Sequence, residues 1–477
     1  MGLAIALGNA LAGLRATETS LDAVSRNVAS AGVEGYARRR VSAVEAQPNG
    51  VRMSEVQRML DTVLQRQMRA EGGATAKAGV IATYLGRLDA SFGEPGGAAS
   101  LDTLMNGLTA SLQTLAAEPG NGVMQNTVIQ SAKALAAGLN ELSSTVQGLR
   151  ADTETQIAQD IDEANTTLQG IATVERDLSL VSGGNARADL LDQRDRLVDR
   201  LSQLMDVQVT PRGESGVSIF TAGGVALFNG AASQLRFDPR GAIGPEALYD
   251  RDPAVTGVGQ ILVMDPTGGT VDVTHGALRG GEIAGLLHLR DTALPSMQGA
   301  IDSIAAGLAE ATQDDPSAPP LFIDAGNGAG AQPYAGAAQF TGFAARIAVN
   351  PALAGDAAGL VGAAGAARPQ AMLSAIQETR RSFSHDPAQA AGATFTGPLD
   401  AFVRRVLDGQ ASNAAAAKTS AEGQQVVLNS LQGRFAETSG VSVDEELAHL
   451  TDLQNAYAAN ARIVSAVNAM FEALMNI

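Results

Sequence analysis

The stretch LTDLQNAYAANARIVSAVNAMFEALMNI, residues 450–477, decides how this chain is read. Leu450, Leu453, Tyr457, Asn460, Val464, Val467, Phe471 and Leu474 alternate steps of three and four, the a/d spacing of a coiled coil, almost to the last residue. A second amphipathic helix opens the chain, with Leu3, Leu7, Leu11, Leu14, Leu21, Val24 and Val28 recurring in steps of three, four and seven along one side. Neither helix can bury its stripe alone. Chain ends fray unless something ties them down. Apolar periodicity at both extremities therefore predicts that the termini pair with each other or with neighbouring subunits. Asn460 occupies a core-facing position: buried there, a lone polar side chain fixes register at some cost in stability; a partly exposed Asn fits the sequence equally, and fully solvated it has no such role.

Composition narrows the function classes. A chain of 477 residues exceeds what one core usually serves, so several domains are expected. Aromatics make up only 4% and Trp is absent, which suits close-packed helices better than an aromatic-lined ligand pocket. A formal charge of -17 argues against nucleic acid or an anionic membrane as partner, because phosphate binding needs a basic face. The one basic run, Arg38, Arg39 and Arg40, reads as a solvated or salt-bridged turn. The absence of cysteine excludes disulfides and thiol chemistry. Met1 to Leu14 is uncharged, yet the first basic residue, Arg15, follows this run, so a cleaved secretory leader is not expected. Ala6 breaks a myristoylation signal, and no apolar run reaches the roughly 18 residues of a membrane span.

Along the chain, Ser54 to about Leu204 reads as mostly helical, with Val56, Leu60, Val63, Leu64 and Met68 as one stripe and Val123 to Val181 as one long helix. Turns are predicted at Gly93–Gly97 and Glu118–Gly122. From Val207 to Thr274 short β-branched runs alternate with Gly, Pro, Asn and Asp, as in a small β domain. The fold class is α+β and multidomain: an elongated, coiled-coil-like helical body formed by both termini, with small β-rich insertions. Residues 1–205, 276–313 and 398–477 form the discontinuous helical core, 206–275 the β-rich insertion, and 314–397 a second small, loop-rich insertion.

Catalytic constellations are missing. His275, His288, His385 and His449 stand apart, without metal-ligand spacing. There is no GxSxG elbow and no phosphate loop. Acidic groups at Asp160, Asp162 and Glu163 and at Asp192, Asp195 and Asp199 alternate with Arg187, Arg194, Arg196 and Arg200, a pattern expected to form i,i+3 and i,i+4 ion pairs on a solvated face. No cofactor, metal or catalytic residue is expected.

Particular motifs sharpen this. SRNVASAGVEGYAR (25–38) resembles the Ser-x-Asn-Ile-x-Asn…Thr-Pro-Gly-Tyr-x-Arg signature after the first helix of bacterial flagellar rod, hook and hook-associated proteins. SGVSVDEEL (439–447) and LQNAYAANA (453–461) resemble the C-terminal element of the same superfamily. Two internal runs, DLLDQRD (189–195) and GGEIAGLL (280–287), resemble the hook-associated protein 1 branch. Where the family has Thr-Pro, this chain has Val33 and Glu34, with Gly35 left to supply an unusual backbone position.

The resemblance implies a structural axial component at the hook–filament junction, its terminal helices paired in the inner tube and its β domains outward. It implies self-assembly, hook protein on one side, the next hook-associated protein or the filament on the other, and a type III export chaperone. Neither nucleic acid nor membrane is a partner, and the location is the extracellular flagellum. The assembly interface would comprise the two stripes together with Asn27, Gly35 and Tyr36. The stripes are expected to be disordered in the monomer and to order on assembly, since an unpartnered stripe cannot offset its chain entropy. The alternatives are another axial flagellar protein, such as hook protein, and an enzyme hidden in the insertions. Convergent, pKa-perturbed carboxylates in a pocket between Val207 and Pro398 would favour the enzyme.

Overall fold

The computed structural model describes residues 2–33, 35–46, 50–94, 96–181, 183–213, 216–313, 318–326, 330–383 and 394–475, with side chains outside 2–4, 42–55 and 474–475. Its first half runs α1 (Gly2–Ala29), β1 (Arg39–Ala46), β2 (Gly50–Arg58), α2 (Thr62–Phe92), α3 (Leu101–Ala117), α4 (Gly122–Leu180) and α5 (Gly184–Leu204). Six strands follow: β3 (Val207–Arg212), β4 (Gly216–Thr221), β5 (Ala226–Asn229), β6 (Gln234–Phe237), β7 (Ile261–Met264) and β8 (Thr270–Asp272). Then α6 (Glu282–His288) continues through a π-helical turn, Leu289–Ala293, into α7 (Leu294–Thr312). Short elements come next: β9 (Phe322–Asp324), α8 (Ala337–Phe340), β10 (Ile347–Val349), α9 (Pro351–Gly355), α10 (Ala367–Gln377), β11 (Arg381–Phe383) and β12 (Phe395–Gly397). Two long helices, α11 (Leu399–Ser439) and α12 (Val443–Met475), close the chain.

The spine is α4, 59 residues and therefore about 90 Å at 1.5 Å per residue. Asn121 caps it by accepting from the Val123 amide at 3.0 Å. Its buried row, Val128, Ala132, Leu135, Leu139, Leu142, Val146, Leu149, Ile157, Ile161, Ala164, Leu168 and Ile171, repeats in steps of three, four and occasionally more, and one continuous hydrophobic core forms along it. That core takes in Ile219, Leu227, Leu235 and Val263 from the strands after α5. It also takes in Phe322, Phe343, Leu360, Met372 and Ile376 from the short elements before α11. The strands form two antiparallel sheets, β3-β4-β5 and β6-β7-β8. Edge strand β6 is closed by Asn165 of α4, whose amide donates to the Leu235 carbonyl and accepts from its N–H, both at 2.8 Å. Deeper in, Glu154 accepts from the amides of Arg240 and Gly259 and pairs with Arg290 of the π turn at 2.7 Å, pinning the β layer to the spine.

The sequence reading needs two corrections. Val56 does not share a helix with Leu64 and Met68: Gly50–Arg58 is a strand paired antiparallel with Arg39–Ala46, and α2 starts only after Asp61, which caps it through Val63 and Leu64. A β-branched residue every few positions fits either period, and pairing decides. The acidic groups also do not all lie on solvated faces, for Asp160, Asp192 and Asp195 are buried.

Asp160 accepts from Gln156 at 2.9 Å, and burial, with Glu282 and Glu163 nearby, pushes its carboxyl up to about 7. The folded state thus holds a proton that the unfolded chain releases near the ordinary Asp value of about 3.9. The stability this contributes is complete at acid pH and is lost as pH rises through about 7. Asp160→Asn should therefore raise the thermal midpoint at pH 8, by the equivalent of on the order of 2 kcal/mol, and leave it nearly unchanged at pH 4. Calorimetry at both pH values checks this, and equal gains at the two would refute the assignment.

Candidate functional site

Where α1 ends, four separate stretches of chain meet. The loop after α1 turns through Gly32 and Gly35, both at positive φ, and a Cβ at Gly35 would lie 2.7 Å from Cγ of Arg196 on α5, so glycine is required there twice over. The turn brings Tyr36 back over the helix end, where its hydroxyl donates to Asn27 Oδ1 at 2.8 Å. Asn27, fully buried, also accepts from the Arg39 amide at 3.0 Å and donates Nδ2 to the Arg39 carbonyl at 2.9 Å and to Glu446 Oε2 at 3.0 Å. Every hydrogen-bonding position of the amide is used. Arg38 pairs with Glu446 and Glu445 at 2.7 Å each, and its backbone N–H donates to Ser439 at 2.9 Å. Burial pushes the Tyr36 phenol up to about 12. It stays a neutral donor at physiological pH.

A charge ladder ties this joint to α5. Arg39 and Arg58 are register partners across β1 and β2, and α2 supplies Arg69. Opposite them α5 presents Asp189, Asp192, Asp195 and Asp199, one per turn. Arg39 bridges Asp189 and Asp192 at 2.6 and 2.7 Å, Arg58 bridges Asp192 and Asp195 at 2.8 and 2.6 Å, and Arg69 bridges Asp195 and Asp199 at 3.3 and 2.6 Å. Burial raises the Asp192 carboxyl against the pull of Arg58 and Arg39. At Asp195 burial also acts upward, but Arg58, Arg69 and Arg194 outweigh it and hold the carboxyl below its ordinary value. Of the arginines expected to answer these acids locally, Arg194 reaches Glu175 at 3.0 Å and Arg200 reaches Glu163 at 2.5 Å. The arginine run at 38–40 is salt-bridged at its first two members, and Arg40 is exposed.

The terminal helices lie together, antiparallel, with Asn27 of α1 on Glu446 of α12 and Gly13 against Asn460. Asn27, Tyr36, Val24 and Val467 are buried; Leu7, Leu14, Leu21, Val28, Leu450, Leu453, Asn460 and Val464 are half-buried; Leu11, Tyr457 and Phe471 are exposed. The side chains of Leu3 and Leu474 lie outside the described residues. The side of α1 turned to α12 is a small-residue row, Ala10, Gly13, Thr17 and Val24 ending at Asn27; the leucine stripe included Val24 but missed Ala10, Gly13 and Thr17. Ala10, Thr17 and Val24 are 2–6% exposed. Its signal was present as three- and four-residue steps of Ala, Gly, Thr and Val. Arg39, Arg58 and Arg69 were missed as site residues because their partners lie more than a hundred positions away.

Beside the joint, a cavity of about 590 Å³ opens between α2, α5, α11 and the loop after α1, lined by Tyr36, Leu60, Met68 and Phe435, with its one ion pair, Arg69 and Asp199, already committed to the ladder. Between Val207 and Pro398, the buried Asp302 binds the Gly342 and Ala344 amides and Asp324 pairs with Arg346, so both carboxylates serve the fold. Among the described residues no cluster of metal-ligating side chains occurs, and no helix is long and apolar enough to cross a membrane.

Comparison with known proteins gives the geometry a lineage. Residues 432–477 match the family described as flagellar basal body rod FlgEFG protein C-terminal, and residues 85–314 match the flagellar hook-associated protein FlgK helical domain. Flagellar hook-associated protein 1 of Escherichia coli K12 is 26% identical over 575 aligned positions covering 99% of each chain, an alignment longer than this chain, so that relative carries stretches absent here. The Salmonella typhimurium protein of the same name is 27% identical over 64% of this chain and 55% of its own, and that of Bacillus subtilis 24% over 44% and 45%. The solved flagellar hook junction protein FlgK from Burkholderia pseudomallei superposes with a TM-score of 0.46 at 24% identity, over 54% of this chain and 44% of the other. The terminal helix pair and its joint are thus those of a flagellar axial protein. Within that class, the chain belongs to the hook-associated protein 1 family.

Glu446→Ala should leave one buried Nδ2 hydrogen of Asn27 and the Nε–H of Arg38 without an acceptor, while Arg38 keeps Glu445 and Asn27 keeps the Arg39 carbonyl, costing about 1–3 kcal/mol locally. Limited proteolysis should then cut α12 faster, with the α2–α5 body as resistant as before. Unchanged cleavage of α12 would show that the joint does not hold it.

Proposed function

We propose that this chain is a non-enzymatic structural component of the bacterial flagellum, joining hook to filament by self-assembly of its terminal helices. The observation that carries the reading is how little the terminal pair buries by itself. From Val443 to Ala473 only Glu446 and Val467 of α12 are buried. Leu447, Ile463, Met470 and Phe471 are exposed on α12, as are Ile5 and Leu11 on α1, and Leu7, Leu14, Leu21 and Val28 form a half-exposed row at seven-residue spacing. Such apolar surface on a two-helix ribbon marks a surface made for further copies. An isolated ribbon of this kind is marginal, so it gains full order as copies pack around it.

On this reading hook protein lies on one side and the next hook-associated protein or the filament on the other, outside the cell. The subunit reaches its site by type III export, escorted by a chaperone. Family membership and the cysteine-free composition support this. The relatives' name and the match over the helical body favour the junction role over that of hook protein.

Charge on the exposed face should abolish assembly without touching the fold. Leu11→Asp and Ile463→Asp, each in a strain lacking the native gene, should give cells that do not swim, bear bare hooks and shed filament protein into the medium. The purified variants should unfold within about 0.5 kcal/mol of the parent, as surface substitutions do. Normal swimming by both strains would reject the proposal.

A further inference from the structure

The terminal helices touch at two points whose spacing agrees. Asn27 donates to Glu446 at 3.0 Å, and a Cβ built on Gly13 would stand 2.8 Å from Nδ2 of Asn460. Positions 13 and 27 on α1 and positions 446 and 460 on α12 are each two heptads apart, about 21 Å of helix rise. Equal intervals on both helices are what a single unslipped antiparallel alignment demands. Seven residues either side of the second contact, the same alignment sets Ala6 opposite Val467 and Ser20 opposite Leu453. The alternate layer sets Ala10, Thr17 and Val24 opposite Val464, Tyr457 and Leu450.

The apolar part of this seam is nearly degenerate. Apart from the exposed Tyr457, a slide of one heptad exchanges one residue of the α1 row for another and one aliphatic residue of α12 for another. The described hydrogen bonds between the two helices are confined to the Glu446 end, so beyond it the seam alone must hold α12. Asn460 breaks the degeneracy. Moved one heptad either way its side chain meets Ala6 or Ser20, where a Cβ fills the space that Gly13 leaves open. Of the three glycines in α1, Gly2, Gly8 and Gly13, only Gly13 lies on the seam within the part whose side chains are described, and nothing stands near a Cβ at Gly8.

We propose that Gly13 and Asn460 form a register key which, with the Asn27–Glu446 contact, holds the terminal helices in one axial alignment. Its consequence, that alignment decides which apolar side chains meet a neighbouring copy, rests on the assembly reading above. The key itself does not.

Because the chain has no cysteine, introduced pairs report register directly. Thr17→Cys with Tyr457→Cys closes only in the native alignment; Thr17→Cys with Leu450→Cys or Val464→Cys closes only after a slide of one heptad. In dilute full-length protein, intramolecular closure on mild oxidation should be confined to the native pair. Adding Asn460→Ala should raise closure of the slid pairs about tenfold, and Gly13→Val, with Glu446 intact, should lower native closure by a similar factor. Slid pairs that stay at background in the Asn460→Ala protein, together with native closure unchanged by Gly13→Val, would overturn the key. That outcome leaves the assembly reading standing. Slid crosslinks in cells that still swim normally would support the key and count against the assembly reading.

Discussion

The terminal helices are anchored by one small amide. Asn27 has two donor and two acceptor positions, and Tyr36, both backbone groups of Arg39, and Glu446 fill them all. An aspartate of the same shape would lose both donors and set a second carboxylate against Glu446. A serine would be too short to span from α1 to α12. The two residues it joins stand 419 positions apart. Closing so long a loop is an entropic cost that a single hydrogen bond does not offset, which is why the contact is embedded in a network: Arg38 holds the other oxygen of Glu446, and the backbone of Arg38 is bonded to Ser439 and Met59.

The charge ladder does a different job. Of the six close ion pairs among Arg39, Arg58, Arg69 and four aspartates of α5, the arginines with Asp192 and Asp195 lie largely out of water, while Asp189 and Asp199 at the ends are exposed. Buried ion pairs contribute little net stability, because desolvation consumes most of the Coulomb gain. What they supply is discrimination, since a shift of the β1–β2 hairpin along α5 would take Arg39 and Arg58 from the buried Asp192 that they share. The ladder and the amide joint share Arg39, whose backbone serves Asn27 and whose guanidinium serves Asp189 and Asp192. Arg39 thus couples the terminal pair to the body, beside the direct α1–α5 contacts of Arg26 with Asp189 and of Asp22 with Asn185.

Local period made the spine legible: Val123 to Val181 in the sequence is α4 in the structure, and the break at Ser439 and Gly440 separates α11 from α12. A side chain at Gly440 would collide with the Ala436 carbonyl, so the break requires glycine there. The motifs around Asn27, Asp192 and Glu446 were visible as words, but nothing local says that they touch. Asp192 and Asp199 of α5 have Arg196 four and three positions away, and a rule that looks within one helix pairs them there. Long-range partners won because the hairpin brings Arg39 and Arg58 in from one side, already desolvated. The hairpin was missed for the same reason, as β1 is defined by its partner strand and not by its own pattern.

The seam of α1 was misread because leucines are the louder signal. Large side chains packed between two helices hold the axes at the wide end of the usual 8–10 Å range, and small ones let them close in. With Ala10, Gly13 and Thr17 inward, α12 settles close onto α1 and the leucines flank the contact without being consumed by it. An isolated pair optimised for its own stability would have turned them in, since burying each is worth about 2 kcal/mol. Leaving them at the flank makes sense only if that burial is completed elsewhere. On the assembly reading proposed above, the same arrangement that weakens the single subunit stores apolar area for a stack of copies.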